Sequence, residues 1–77
     1  MGVAGPEERV LLALFMQSAV SENKAISVSM LAKIINSEVS LVNSILKSLI
    51  DQGYVSLKDN NVFLTSKGLM RVLSRFS

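Results

Sequence analysis

Between Val28 and Val55 the apolar residues break step once. They fall at Val28, Leu31, Ala32 and Ile35, then at Val39, Val42, Ile45, Leu46 and Leu49, with Asn36-Ser37-Glu38 between the two sets. Spacings of three and four put each set on one face of a helix. The stretch therefore predicts two short helices, about Val28 to Asn36 and Ser40 to Gln52, meeting at a tight polar turn. Ser27 or Ser29 is positioned to cap the former, and Ser37 or Ser40 the latter. Gly53 closes the second helix, because glycine adopts the left-handed backbone that ends one. A chain of 77 residues builds only a modest core. The other segments are then read as the cover for these two apolar faces.

Composition narrows what that core can be. With no cysteine and no histidine, disulfide staples and the usual zinc sites are excluded. Hydrophobic residues make up 49% and charged residues 18%, which argues against disorder and leaves apolar surface to spare for a partner. The net charge of +2 is too small to indicate nucleic acid by itself. The longest apolar run, Val10 to Met16, is about one-third of the roughly twenty residues a membrane span needs. Pro6, Glu7 and Glu8 stand where a basic leader would, and Pro6 replaces the serine or threonine of a myristoylation signal. The expected location is cytoplasmic, with no membrane partner.

The flanking segments complete the order. Met1 to Gly5 read as a loose lead-in, and residues 6–77 as a single domain. Pro6-Glu7-Glu8 opens a first helix that is expected to reach about Val20, with its carboxylates at the positive end of the dipole. Ser21 to Lys24 is a polar loop, and Ala25-Ile26-Ser27 a very short strand. Tyr54 to Leu57 and Val62 to Leu64 alternate as strands around the turn residues Lys58-Asp59-Asn60-Asn61, which predicts a hairpin. Thr65 caps a last helix over Ser66 to Phe76, whose stripe is Leu69, Val72, Leu73 and Phe76. Lys67, Arg71 and Arg75 lie four apart on another of its faces. The predicted core comprises Leu11, Leu14, Phe15, Leu31, one of Ile34 and Ile35, Val42, Leu46, Leu49, Val55, Phe63, Leu69 and Leu73.

Two helices with a short polar turn have the layout of a helix-turn-helix unit. Three patterns add to it: LAKIIN at Leu31 to Asn36, LVNSILKSLIDQGYV at Leu41 to Val55, and NNVFLTSKG at Asn60 to Gly68. In this order, from about Pro6 to Phe76, they resemble the winged helix-turn-helix family. The fold the resemblance implies is mostly α with a small β-hairpin, in the order α-β-α-α-β-β-α. In that family the second helix of the unit usually enters the DNA major groove, and the hairpin, the wing, touches the backbone. The implied recognition helix is 40–52 and the implied wing 54–64. The implied DNA-contacting residues are Lys33, Ser40, Leu41, Asn43, Ser44, Lys47, Ser48, Lys58 and Asn60. Asn43 suits adenine, Leu41 a thymine methyl, and Lys47 a phosphate. The family commonly carries arginine or several lysines on this surface, whereas here Lys47 stands with only Lys33 and Lys58. Ile50 also takes the place of a charged residue.

No catalytic constellation stands out. The commonest bases and soft ligands are missing, Glu7-Glu8 is explained by the helix dipole, and no glycine-rich phosphate loop follows a strand. An enzyme is not expected, nor a cofactor or metal. Met16, Met30 and Met70 read as gap-fillers.

The first helix is apolar nearly all round. Leu11, Leu14, Phe15 and Ser18 form one stripe, and Leu12, Met16, Ala19 and Val20 another. The surplus predicts a homodimer interface from Val10, Leu12, Ala13, Met16, Val20 and Met70. The alternative is a monomer in which Met1 to Gly5 fold over the second stripe. Two functions follow. The first is a small DNA-binding transcriptional regulator acting on double-stranded DNA as a homodimer. The alternative is an interaction module that binds another protein within a larger assembly, which the low charge and apolar surplus favour.

Overall fold

The computed structural model describes residues 5–76; the lead-in reading of Met1 to Ala4 lies outside them. A helix α1 (Pro6–Met16) is followed by a single 3₁₀ turn (Glu22–Lys24), a strand β1 (Ile26–Ser27), helices α2 (Val28–Ile34) and α3 (Val39–Asp51), strands β2 (Val55–Lys58) and β3 (Asn61–Leu64), and helix α4 (Ser66–Phe76). This is the order expected of a winged helix-turn-helix.

One device ends three of the helices. After α1, Ser18 takes φ 58°, Ala19 N–H donates to the Leu14 carbonyl at 2.9 Å, and Ser18 N–H to that of Phe15 at 2.9 Å. This paired closure satisfies carbonyls that a helix end would otherwise leave free. It recurs after α2 at Asn36, φ 56°, with Ser37 N–H donating to Ala32 at 2.9 Å. It recurs after α3 at Gly53, φ 82°, with Tyr54 N–H donating to Leu49 at 3.0 Å. Only Gly53 advertises itself in the sequence. The unmarked closure at Ser18 is why α1 stops at Met16 and does not reach Val20. It also delivers Ala19 into the core, where its carbonyl accepts the Leu64 N–H at 2.7 Å and ties the helix end to the sheet.

Caps at the other ends follow the same accounting. Ser27 Oγ accepts the Met30 N–H at 3.0 Å, as expected for the start of α2. Thr65 Oγ1 accepts the Gly68 N–H at 3.1 Å at the start of α4. The start of α3 differs from expectation: Glu38 holds the cap position without a side-chain bond. Ser37 is committed to closing α2, and Ser40 already lies within α3.

The sheet has the order β1-β3-β2 and is antiparallel throughout. Lys58 pairs with Asn61, leaving Asp59 and Asn60 as a two-residue loop at φ 52° and 66°. Two successive positive φ values define the hairpin turn whose twist matches the strands, and Asp and Asn tolerate them.

Leu14, Leu31, Leu46, Leu49 and Leu64 are the largest fully buried side chains, joined by Val10, Val42, Val62 and Val72. Leu11, Leu14, Leu31, Ile35, Val42, Leu46, Leu49 and Val55 are buried as expected. Phe15 is not; it stands exposed, and Val10 and Ala13 take the inward arc of α1. An all-round apolar helix does not encode which arc turns inward. Phe63 and Leu69 are half-buried, while Leu73 is 47% exposed and Val72 takes the core position. Gly68 explains that rotation. A Cβ there would sit 1.9 Å from the Tyr54 carbonyl oxygen, so α4 presses bare backbone against the start of the wing. The gap-filler reading of the methionines is also corrected. Met16, Met30 and Met70 all stand on the surface, because branched side chains fill the interior.

Candidate nucleic-acid interface

The sequence of α3 separates its two sides. Val42, Ile45, Leu46 and Leu49 are buried. Ser40, Leu41, Asn43, Ser44 and Lys47 are exposed on its remaining surface. Asn43 and Lys47 are one turn apart, so an amide that can read a base edge stands beside an ammonium that can meet a phosphate. Leu41 is 53% exposed in the first turn. Ser44 Oγ donates back to the Ser40 carbonyl at 3.3 Å. Ser48 is placed differently from its neighbours. It is half-buried, its hydroxyl donates to Glu7 Oε2 at 2.7 Å, and it accepts from Gln52 Nε2 at 3.2 Å. Its hydroxyl ties α3 to the start of α1.

A cleft of about 120 Å³ gathers residues from three elements: Ser27, Val28 and Ser29 at the start of α2, Val39 and Asn43 on α3, and Asn60 at the wing tip. The Asn60 carbonyl accepts the Val28 N–H at 3.0 Å, which fastens the wing tip over the start of α2. Ser29 and Val39 were not singled out for this surface from the sequence. Val39 shares the apolar spacing of Val42 and Ile45, yet it stands exposed.

Lys33 is exposed on the neighbouring groove, lined by Ser29, Ala32, Lys33, Asn36, Ser37, Glu38 and Val39. Five of those seven side chains are polar. Lys58 is held apart from both. Its cleft is lined by Glu22, Asn23, Ala25, Lys58, Asp59, Asn61 and Phe63, and Nζ donates to Glu22 Oε2 at 2.6 Å. That hydrogen bond, and the charge behind it, raise the Lys58 ammonium above its ordinary value.

The expected dimer residues divide. Val10 and Ala13 belong to the chain's own core and are withdrawn from that surface. Leu12 is half-buried, Val20 exposed, and Met16 and Met70 are 71% and 69% exposed. Leu12 and Met16 border an apolar groove with Ile34, where Arg9 donates to the Ile35 carbonyl at 2.9 Å. Among the described residues no helix is long and apolar enough to cross a membrane.

No protein-family model matches the chain, and no curated protein matches it in sequence. Among solved structures it is similar to the DNA-binding TubR fragment from Clostridium botulinum, determined in solution, at 22% identity. The match covers 99% of this chain and 100% of that one, with a TM-score of 0.78. At that identity the likeness is one of fold, and with the element order above it establishes this chain as a winged helix-turn-helix fold.

Proposed function

We propose that this protein is a small DNA-binding transcriptional regulator. It presents the first turns of α3 to the major groove and rests the wing beside the backbone. The observation that carries this reading is the cleft where Ser29, Asn43 and Asn60 meet, next to the open face of α3. Helix start, recognition helix and wing tip then approach one duplex together. Asn43 reads adenine, Val39 and Leu41 lie against thymine methyls, and Lys33 and Lys47 neutralise phosphates. Similarity to a protein whose structure is described as DNA-binding supports the same reading.

The regulator acts in the cytoplasm as a homodimer through Leu12, Met16, Val20 and Met70. Two copies of α3 about 34 Å apart would face successive turns of the groove. Few phosphate contacts per chain make two chains worth having. Titration of duplex DNA at about 50 and 200 mM salt tests the proposal. With Lys33 and Lys47 as phosphate contacts, log K should fall with log salt at a slope of about −2 per protomer. A chain that binds no duplex at the lower salt is not a DNA-binding regulator. The interaction-module reading would then take its place, supported by the apolar groove of Leu12, Met16 and Ile34.

A further inference from the structure

The wing's only lysine is Lys58, and it does not stand free. Its Nζ lies 2.6 Å from Glu22 Oε2, both side chains well exposed at 63% and 59%. Glu22 belongs to the 3₁₀ turn that precedes β1, far from the wing in sequence but beside it in space. Asp59 lines the same cleft. One ammonium thus shares this cleft with two carboxylates. We propose that Glu22 is a restraining residue for the wing: it holds Lys58 in an intramolecular ion pair and so withholds the wing's one cationic contact from phosphate. This inference rests on the DNA-binding reading above and specifies how the wing takes part in it.

The physical argument is competition. A phosphate oxygen and the Glu22 carboxylate want the same ammonium protons. To reach DNA, Lys58 must leave a short charge-assisted bond, and the carboxylate left behind repels the incoming backbone. Because the pair is exposed, its grip is weak in absolute terms and is screened by salt. The restraint therefore tunes affinity without abolishing it. It also flattens the salt dependence, since added salt loosens the pair as it weakens the phosphate contact. The hairpin itself does not depend on the pair. Its register, its two-residue loop and the Asn60–Val28 bond are made by backbone.

The test is a double-mutant cycle of Glu22→Gln and Lys58→Met, read by duplex titration at about 50 and 200 mM salt. Thermal melting of each variant confirms that the fold is retained. Glu22→Gln should bind about threefold tighter than the parent at the lower salt and steepen the salt slope by about one charge. Lys58→Met alone should change binding less than the same substitution does in the Glu22→Gln background. In the Glu22→Gln background, the same lysine change should remove most of the gain. Glu22→Gln binding no tighter, or more weakly, would overturn the restraint. So would a gain that survives in full when Lys58 is gone, because Glu22 would then act only by repelling DNA. A parent that binds duplex while Glu22→Gln leaves it unchanged sinks this inference alone. No binding by either chain sinks it together with the DNA-binding reading.

Discussion

Ser18 and Gly68 show how much one backbone position can decide. Ser18 sits at a left-handed φ of 58° that glycine adopts at no steric cost. Ser18→Gly should stabilise the protein by about 0.5–1 kcal/mol in denaturant unfolding; a loss of stability would mean that the serine side chain contributes more than the strain it carries. Gly68 presents the opposite case. A Cβ placed 1.9 Å from the Tyr54 carbonyl oxygen must push the helix away from the wing. Gly68→Ala should therefore cost about 2–3 kcal/mol, and a neutral change would contradict the close approach. Neither position was legible beforehand in these terms. In the sequence Gly68 is only the end of the NNVFLTSKG pattern, and Ser18 only one more residue on a helical stripe. The left-handed residue after a helix is plain in sequence only where it is glycine, as at Gly53.

Among the elements, α3 was the most legible and α1 the least. The spacing of Val42, Ile45, Leu46 and Leu49 selects one inward arc of α3, and all four are buried. Leu46→Ala should leave a cavity and cost about 2–5 kcal/mol. A loss below about half a kcal/mol would mean that Leu46 does not reach the core. On the opposite side, Lys47→Ala should weaken binding to all duplexes about equally and flatten the salt slope by about one charge. Asn43→Ala should instead relax preference at one base pair. Equal effects of the two changes on all sequences would deny Asn43 a reading role. In α1 the apolar residues surround the axis, so the sequence could not say that Val10 and Ala13 turn inward while Phe15 and Met16 turn out. The deciding information lies in the neighbours: Ala13 lies at the seam with α2, beside Ile34 and Ile35. The candidate site divided in the same way. Spacing identified the open face of α3. It could not show that Ser48 is tied to Glu7 or that Lys58 is held by Glu22, because those partners are distant in sequence.

At the scale of the molecule, surplus apolar surface and sparse positive charge meet in one account. Under the proposed dimer, two chains joined through Met16 and its neighbours would double the phosphate contacts on one duplex without any added lysine. Sedimentation at micromolar concentration should report a dimer, and Met16→Glu should return it to a monomer while leaving the fold intact, since Met16 is 71% exposed. A monomeric parent would confine the account to a single domain on DNA. The central claim is that the start of α2, the open face of α3 and the wing tip meet DNA as one surface. Amide chemical-shift mapping during titration with a duplex tests it most directly. The account predicts that the largest changes cluster at Ser29, at Val39 through Lys47, and at Asn60. Changes centred on Leu12, Met16 and Ile34, with the amides of α3 undisturbed, would contradict it.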